Sequence, residues 1–221
     1  TSSRRYVVSA SAAPSAVIYH RHRHLHALEE LVARRYREAA EHAARIAERT
    51  GDEYDELIAE GARHGSKENY RKAAKVYREA IALNPENPTA YYNLGAAFSN
   101  SGHDVEAAQR FLEARERYPE GSEDWAQATA AAFCQLQLPA CAEVAKPAWW
   151  NDEDLKALSK RVVRAAPNED IAHYMRAIVL HGKSPAWEAG PRSAAELKEA
   201  ATHWERAAKL SAAPAIKAER A

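Results

Sequence analysis

The chain has 221 residues, in which 31 Lys plus Arg balance 31 Asp plus Glu. Its pI near 7.1 leaves no overall field to draw in nucleic acid or anionic lipid. The 46% hydrophobic share includes 50 Ala, while Leu, Ile, Val and Phe together number 34, which argues against a thick single-centred core and for nearly continuous helix.

No apolar run approaches the roughly 18 residues of a membrane span, and two Cys cannot make a disulfide framework. Residues 1–24 hold no acidic residue, carry Arg4, Arg5, Arg21 and Arg23, and are rich in Ser and Ala. They are expected to form an extended basic arm, suited to an anionic surface and similar to the end of an organellar transit peptide. The alternation of His20, His22, His24 and His26 puts imidazoles on one face of an extended segment. Arg21 and Arg23 repel a cation and no Cys, Asp or Glu lies within the cluster, so no metal site is expected.

Leu25, Leu28, Leu31, Val32, Tyr36, Ala39, Ala43 and Ile46 recur mostly at three- and four-residue intervals. That spacing predicts one amphipathic helix over 25–50, ended by Thr50 and Gly51, that caps the remainder of the chain. Residues 54–87 then carry Leu57, Gly61, Ala73, Tyr77, Ala80 and Pro85, with Glu60 and His64 departing from the pattern. The same register returns 34 residues later, over 88–121, as Tyr91, Leu94, Gly95, Phe98, Ala107, Phe111, Ala114 and Pro119.

These types at this spacing resemble the tetratricopeptide repeat, which implies an all-α, right-handed solenoid of helix-turn-helix units. Gly61 with Ala73, and Gly95 with Ala107, would let paired helices approach closely, and Tyr77 and Phe111 would fill the groove against the next repeat. Pro85 and Pro119 end the second helices.

From 122 to 214 come two degenerate repeats. The third has Trp125 in the aromatic position, Ala128 to Ala132 in its first helix, and a second helix counted back from Pro167 to about 152–165. Residues 138–151, with Pro139, Pro147, Trp149 and Trp150, are then an insertion in the turn. The fourth has Ile171 to Leu180 as first helix and Ala200, Trp204 and Ala207 in its second. Pro185, Trp187, Gly190 and Pro191 lie in a second insertion over 181–193. Residues 215–221 are assigned as a tail whose composition still reads as helix.

No catalytic device assembles from these residues. Cys134 and Cys141, seven apart, have neither metal-ligand nor redox-pair spacing and read as small buried hydrophobes. The acids Asp52, Glu53, Asp55 and Glu56, and Asp152, Glu153 and Asp154, sit at helix starts where they complement the dipole. The chain therefore reads as a non-enzyme with no cofactor, whose function is recognition of protein partners.

The resemblance implies a concave groove lined by first helices, here by Asp55, Ile58, Ala62, Tyr92, Asn93, Ala96 and Asn100. Asn93 matches the middle element of the set that holds chaperone C-terminal carboxylates. Ile58, Ala62, Glu123 and Gln127 stand where its Lys, Asn and basic residues belong, so that ligand is disfavoured. Trp149, Trp150 and Trp187 are alternative anchors on the insertion edge, or lids folded over the solenoid. The second reading is a constitutive subunit of a large respiratory or photosynthetic membrane complex, held by the arm and the tryptophans, which places the protein in an organelle ahead of the cytoplasm. RNA binding ranks last, because residues 54–66 and 88–101 are not basic.

Overall fold

The computed structural model describes Glu41 and residues 53–218. Among these residues the chain forms eight α-helices, a 3₁₀ turn at Pro139–Cys141 and no strand. The helices are α1 (Glu53–Ser66), α2 (Tyr70–Leu83), α3 (Pro88–Asn100), α4 (Asp104–Arg117), α5 (Glu123–Leu136), α6 (Asp152–Ala165), α7 (Asp170–His181) and α8 (Ala194–Ala218). The arm at 1–24 and the capping helix at 25–50 fall outside the described residues.

Helix starts follow from side chains that satisfy free amides. Asn87 caps α3 by accepting from Thr89 N, with Pro88 in the first turn, where its missing amide costs nothing. Ser122 caps α5 through Trp125 N, and Asn151 caps α6 through Asp154 N. Glu53, Asp55 and Glu56 occupy the first turn of α1, and Asp152, Glu153 and Asp154 that of α6, so these acids take the dipole role. Gly182 ends α7 in the left-handed region at φ 69°. Helix α8 runs without a break to Ala218, so the boundary between repeat and tail at 214/215 marks no end of secondary structure.

Each helix packs on its successor from α1 to α8, and α5 also meets α7 across the stack. The result is an all-α solenoid of four helical hairpins, with its core strung along the axis. Alanines form the close contacts: Ala62, Ala73, Ala80, Ala97, Ala107 and Ala114 are completely buried. Larger groups, Tyr77, Leu94, Trp125, Phe133, Leu155 and Met175, are at most 2% exposed.

Tyr77 and Phe111 lie directly on Gly61 and Gly95 of their own hairpins. A Cβ on Gly95 would stand 2.9 Å from Phe111 Cδ1, and one on Gly61 would run into the Tyr77 ring. The glycines make room for an aromatic face as well as for a backbone.

Candidate protein-interaction surface

Helix α3 is apolar almost all round: Ala90, Tyr91, Asn93, Leu94, Gly95, Ala96, Ala97 and Phe98 are buried, so little of it faces solvent. This corrects the groove. Of its seven assigned residues, Ile58, Ala62, Asn93 and Ala96 are buried, with Ile58 at 4% and Ala62 at 0% exposure. Only Asp55, Tyr92 and Asn100 keep part of their surface. The residues assigned to the groove therefore divide between the packed interior and the surface.

Two of the three accessible groups, Tyr92 and Asn100, are held in place. Tyr92 packs on Phe111 with ring centroids 5.3 Å apart and planes at 59°. Asn100 Nδ2 donates to the Ala96 carbonyl at 2.8 Å, which leaves its Oδ1 as an acceptor. Beside it, Gln135 Nε2 of α5 donates to Ser99 Oγ at 2.5 Å and ties the two first helices together.

The tryptophans do not project as anchors; they fold inward. Trp187 is 8% exposed, and Trp149 and Trp150 are half-buried against the core. Phe133 of α5 lies 5.4 Å from Trp150 and 5.7 Å from Trp187, and Trp150 meets Trp187 edge-on at 6.0 Å. Trp149 stacks beside Trp150 at 5.6 Å. Trp150 Nε1 donates to the Ala186 carbonyl at 2.9 Å, so the two insertions close on one another. Burying so much ring surface against Phe133 outweighs leaving it in water. Arg115 stands 5.4 Å from the Trp149 ring and 5.7 Å from that of Trp125, and Arg161 covers Trp125 at 5.2 Å while pairing with Glu120.

The cysteines are inert. Cys141 is buried with Ala108 and Leu136, and burial pushes the Cys134 thiol up to about 12, so neither offers a thiolate at neutral pH. Among the described residues no cluster of His, Cys, Asp and Glu has the arrangement of a metal site, and no helix is long and apolar enough to cross a membrane.

What sequence reasoning missed is a polar seam joining α6, α7 and α8. Arg192 of the second insertion forks onto Asp152, with its Nη1 2.8 Å from Oδ2, and also donates to the Val179 carbonyl at 3.0 Å. This guanidinium holds the Asp152 carboxyl down to about 2. Lys156 pairs with Glu196 at 2.7 Å. Arg176, buried in α7, donates to Glu199 at 2.8 and 3.1 Å, to the Lys156 carbonyl at 2.7 Å and to Ser159 Oγ at 3.2 Å. Below it the Nδ1 atoms of His173 and His203 are 2.7 Å apart. These partners lie 13 to 40 residues apart in the chain, so no local spacing betrays them.

A family model described as TPR repeat matches residues 64–102, the span that runs from the end of α1 through α2 and α3. The human small glutamine-rich tetratricopeptide repeat-containing protein beta is 43% identical over 53 residues, which cover 24% of this chain and 17% of that protein.

Proposed function

Because this chain carries tetratricopeptide repeats, we propose that it is a protein-interaction module that holds a partner across its first helices and performs no chemistry of its own. The observation that supports this reading is the set of partly exposed groups on α1 and α3: Asp55, the ring of Tyr92 and the acceptor of Asn100. They offer a charge, an aromatic face and an amide oxygen on a scaffold whose remaining groove positions are packed away. An extended polar segment with a basic group for Asp55 suits them.

The experiment is a comparison of the full chain with the Asp55→Lys, Asn100→Lys double variant, each used as bait in an extract of its own cells. Both positions are partly exposed, so the variant keeps its helicity and loses only about 1–2 kcal/mol of unfolding free energy, from the Asp55 dipole contact and the Asn100 hydrogen bond, while the captured partner is lost. Undiminished capture by the variant removes this surface from the proposal.

The second reading is a subunit of a larger organellar assembly. It draws support from the acid-free segment 1–24 with its four arginines. Deleting residues 1–24 then abolishes comigration with a large complex in sedimentation, and unchanged comigration counts against it.

A further inference from the structure

The joint between α7 and α8 contains two imidazoles in direct contact, and the atoms around them fix where their protons lie. His173 Nε2 stands 3.0 Å from the Pro167 carbonyl. A carbonyl only accepts, so this nitrogen carries hydrogen. The 2.7 Å between the two Nδ1 atoms admits one hydrogen. In the neutral pair, His173 Nδ1 is therefore the acceptor and His203 Nδ1 the donor, and His203 Nε2 is bare, 3.7 Å from Glu199 Oε1.

A first added proton goes to His203 Nε2, facing Glu199. A second has only the shared Nδ1 gap to enter, and there two N–H groups would point at each other. The charged groups facing His203 are His173 and Arg176 from α7 and Glu199 on its own helix. The turn after α6 contributes the neutral Pro167 carbonyl. Glu199 is already shared with Arg176, so it cannot neutralise two imidazoliums.

We propose that the His173–His203 pair is an acid-released clasp: it seats α8 on α7 while the pair holds at most one extra proton, and lets α8 go when both rings are charged. Burial, then the neighbouring His173, hold His203 below its ordinary 6.5, and Arg176 adds to this against the upward pull of Glu199. A histidine whose folded value is depressed binds its proton more readily when released, so the joint is at full strength above about 6.5 and weakens as the pH falls through and below that value. The helix that leaves is the last one described, and its departure uncovers the α7 face that carries His173, Arg176 and Ala177, all buried by it and its neighbours.

The test is amide hydrogen exchange on the full 221-residue chain between pH 7.5 and pH 5.0, corrected for the intrinsic pH dependence of exchange. In wild type, protection over residues 194–211 falls roughly tenfold or more on acidification, the scale of one lost hydrogen bond, while α3 and α4 are unchanged. In His203→Gln the same segment loses its pH dependence. Equal loss in wild type and His203→Gln, or protection of α8 that does not change with pH in wild type, overturns the proposal. Should the variant lack a docked α8 at neutral pH, nitrogen NMR of the wild-type imidazoles decides. One Nδ1-protonated ring and a titration of His203 below its ordinary value support the clasp; two rings titrating independently at their ordinary values overturn it.

Discussion

Trp150 Nε1 donates to the Ala186 carbonyl at 2.9 Å, which joins two insertions 36 residues apart. Each insertion alone is a proline-punctuated loop. Together, over Phe133, they make an aromatic layer covering the second half of the solenoid. Replacing Trp150 with Phe keeps an aromatic ring, gives up part of the indole's area and removes the donor, leaving the Ala186 carbonyl without it. A loss of about 1 kcal/mol is expected, against about 3–5 kcal/mol for Trp150→Ala. Urea unfolding of the two variants separates these outcomes, and equal losses would mean that the indole contributes by its hydrogen bond alone.

Trp187 behaves in the opposite way. Its ring is buried, and its Nε1 has no hydrogen-bond partner among the described residues. Trp187→Phe thus removes an unsatisfied donor along with some ring area. Its unfolding free energy stays within about 1 kcal/mol of wild type or rises, whereas Trp187→Ala loses about 3–5 kcal/mol. A large loss in Trp187→Phe would show that the indole nitrogen is satisfied in solution.

Gly95 and Phe111 form a pair that can be tested by a cycle. A Cβ at Gly95 meets the Phe111 ring at 2.9 Å, tighter than packed carbons adopt, so Gly95→Ala costs about 1–3 kcal/mol despite the better helix propensity of Ala. Phe111→Leu opens a cavity and also destabilises. The double variant is less damaged than the sum, with a coupling of about 0.5–3 kcal/mol. Strict additivity in chemical denaturation would show that the ring moves aside at no cost.

The Asp152–Arg192 fork carries a pH signature. The folded carboxyl sits at about 2 against an ordinary 3.8, so the unfolded chain binds the proton first as the pH falls. The contribution is present above about pH 4 and disappears between about 4 and 2. Asp152 keeps about a fifth of its side chain in solvent, and screening trims the effect, so Asp152→Asn costs roughly 1–2 kcal/mol at pH 7. The gap between variant and wild type closes near pH 2; a gap independent of pH assigns the cost to packing.

The fold was legible because its signals are local. Gly61, Ala73, Gly95 and Ala107 report close packing by size alone, Pro85 and Pro119 report helix ends, and counting back from Pro167 gives the 152–165 that α6 occupies. The surface was less legible. Ile58, Ala62, Asn93 and Ala96 hold the positions that line a groove in the repeat pattern, but whether a position is open depends on how closely the next hairpin sits. The tryptophans posed the same problem, since nothing in the residues around Trp149 or Trp187 states that the two loops meet. The seam from Asp152 to His203 was beyond reach, because each of its bonds joins separate helices or an insertion to a helix.

In a plain stack of hairpins each unit is held by its immediate neighbours, and a pull on the two ends would strip units off one by one. The aromatic bridge between the two insertions changes that arithmetic. The third and fourth hairpins share one clamp, so neither can come away until the indoles part. Under load the hairpins α1–α2 and α3–α4 are therefore expected to come away separately and α5 to α8 together, as one longer length of chain.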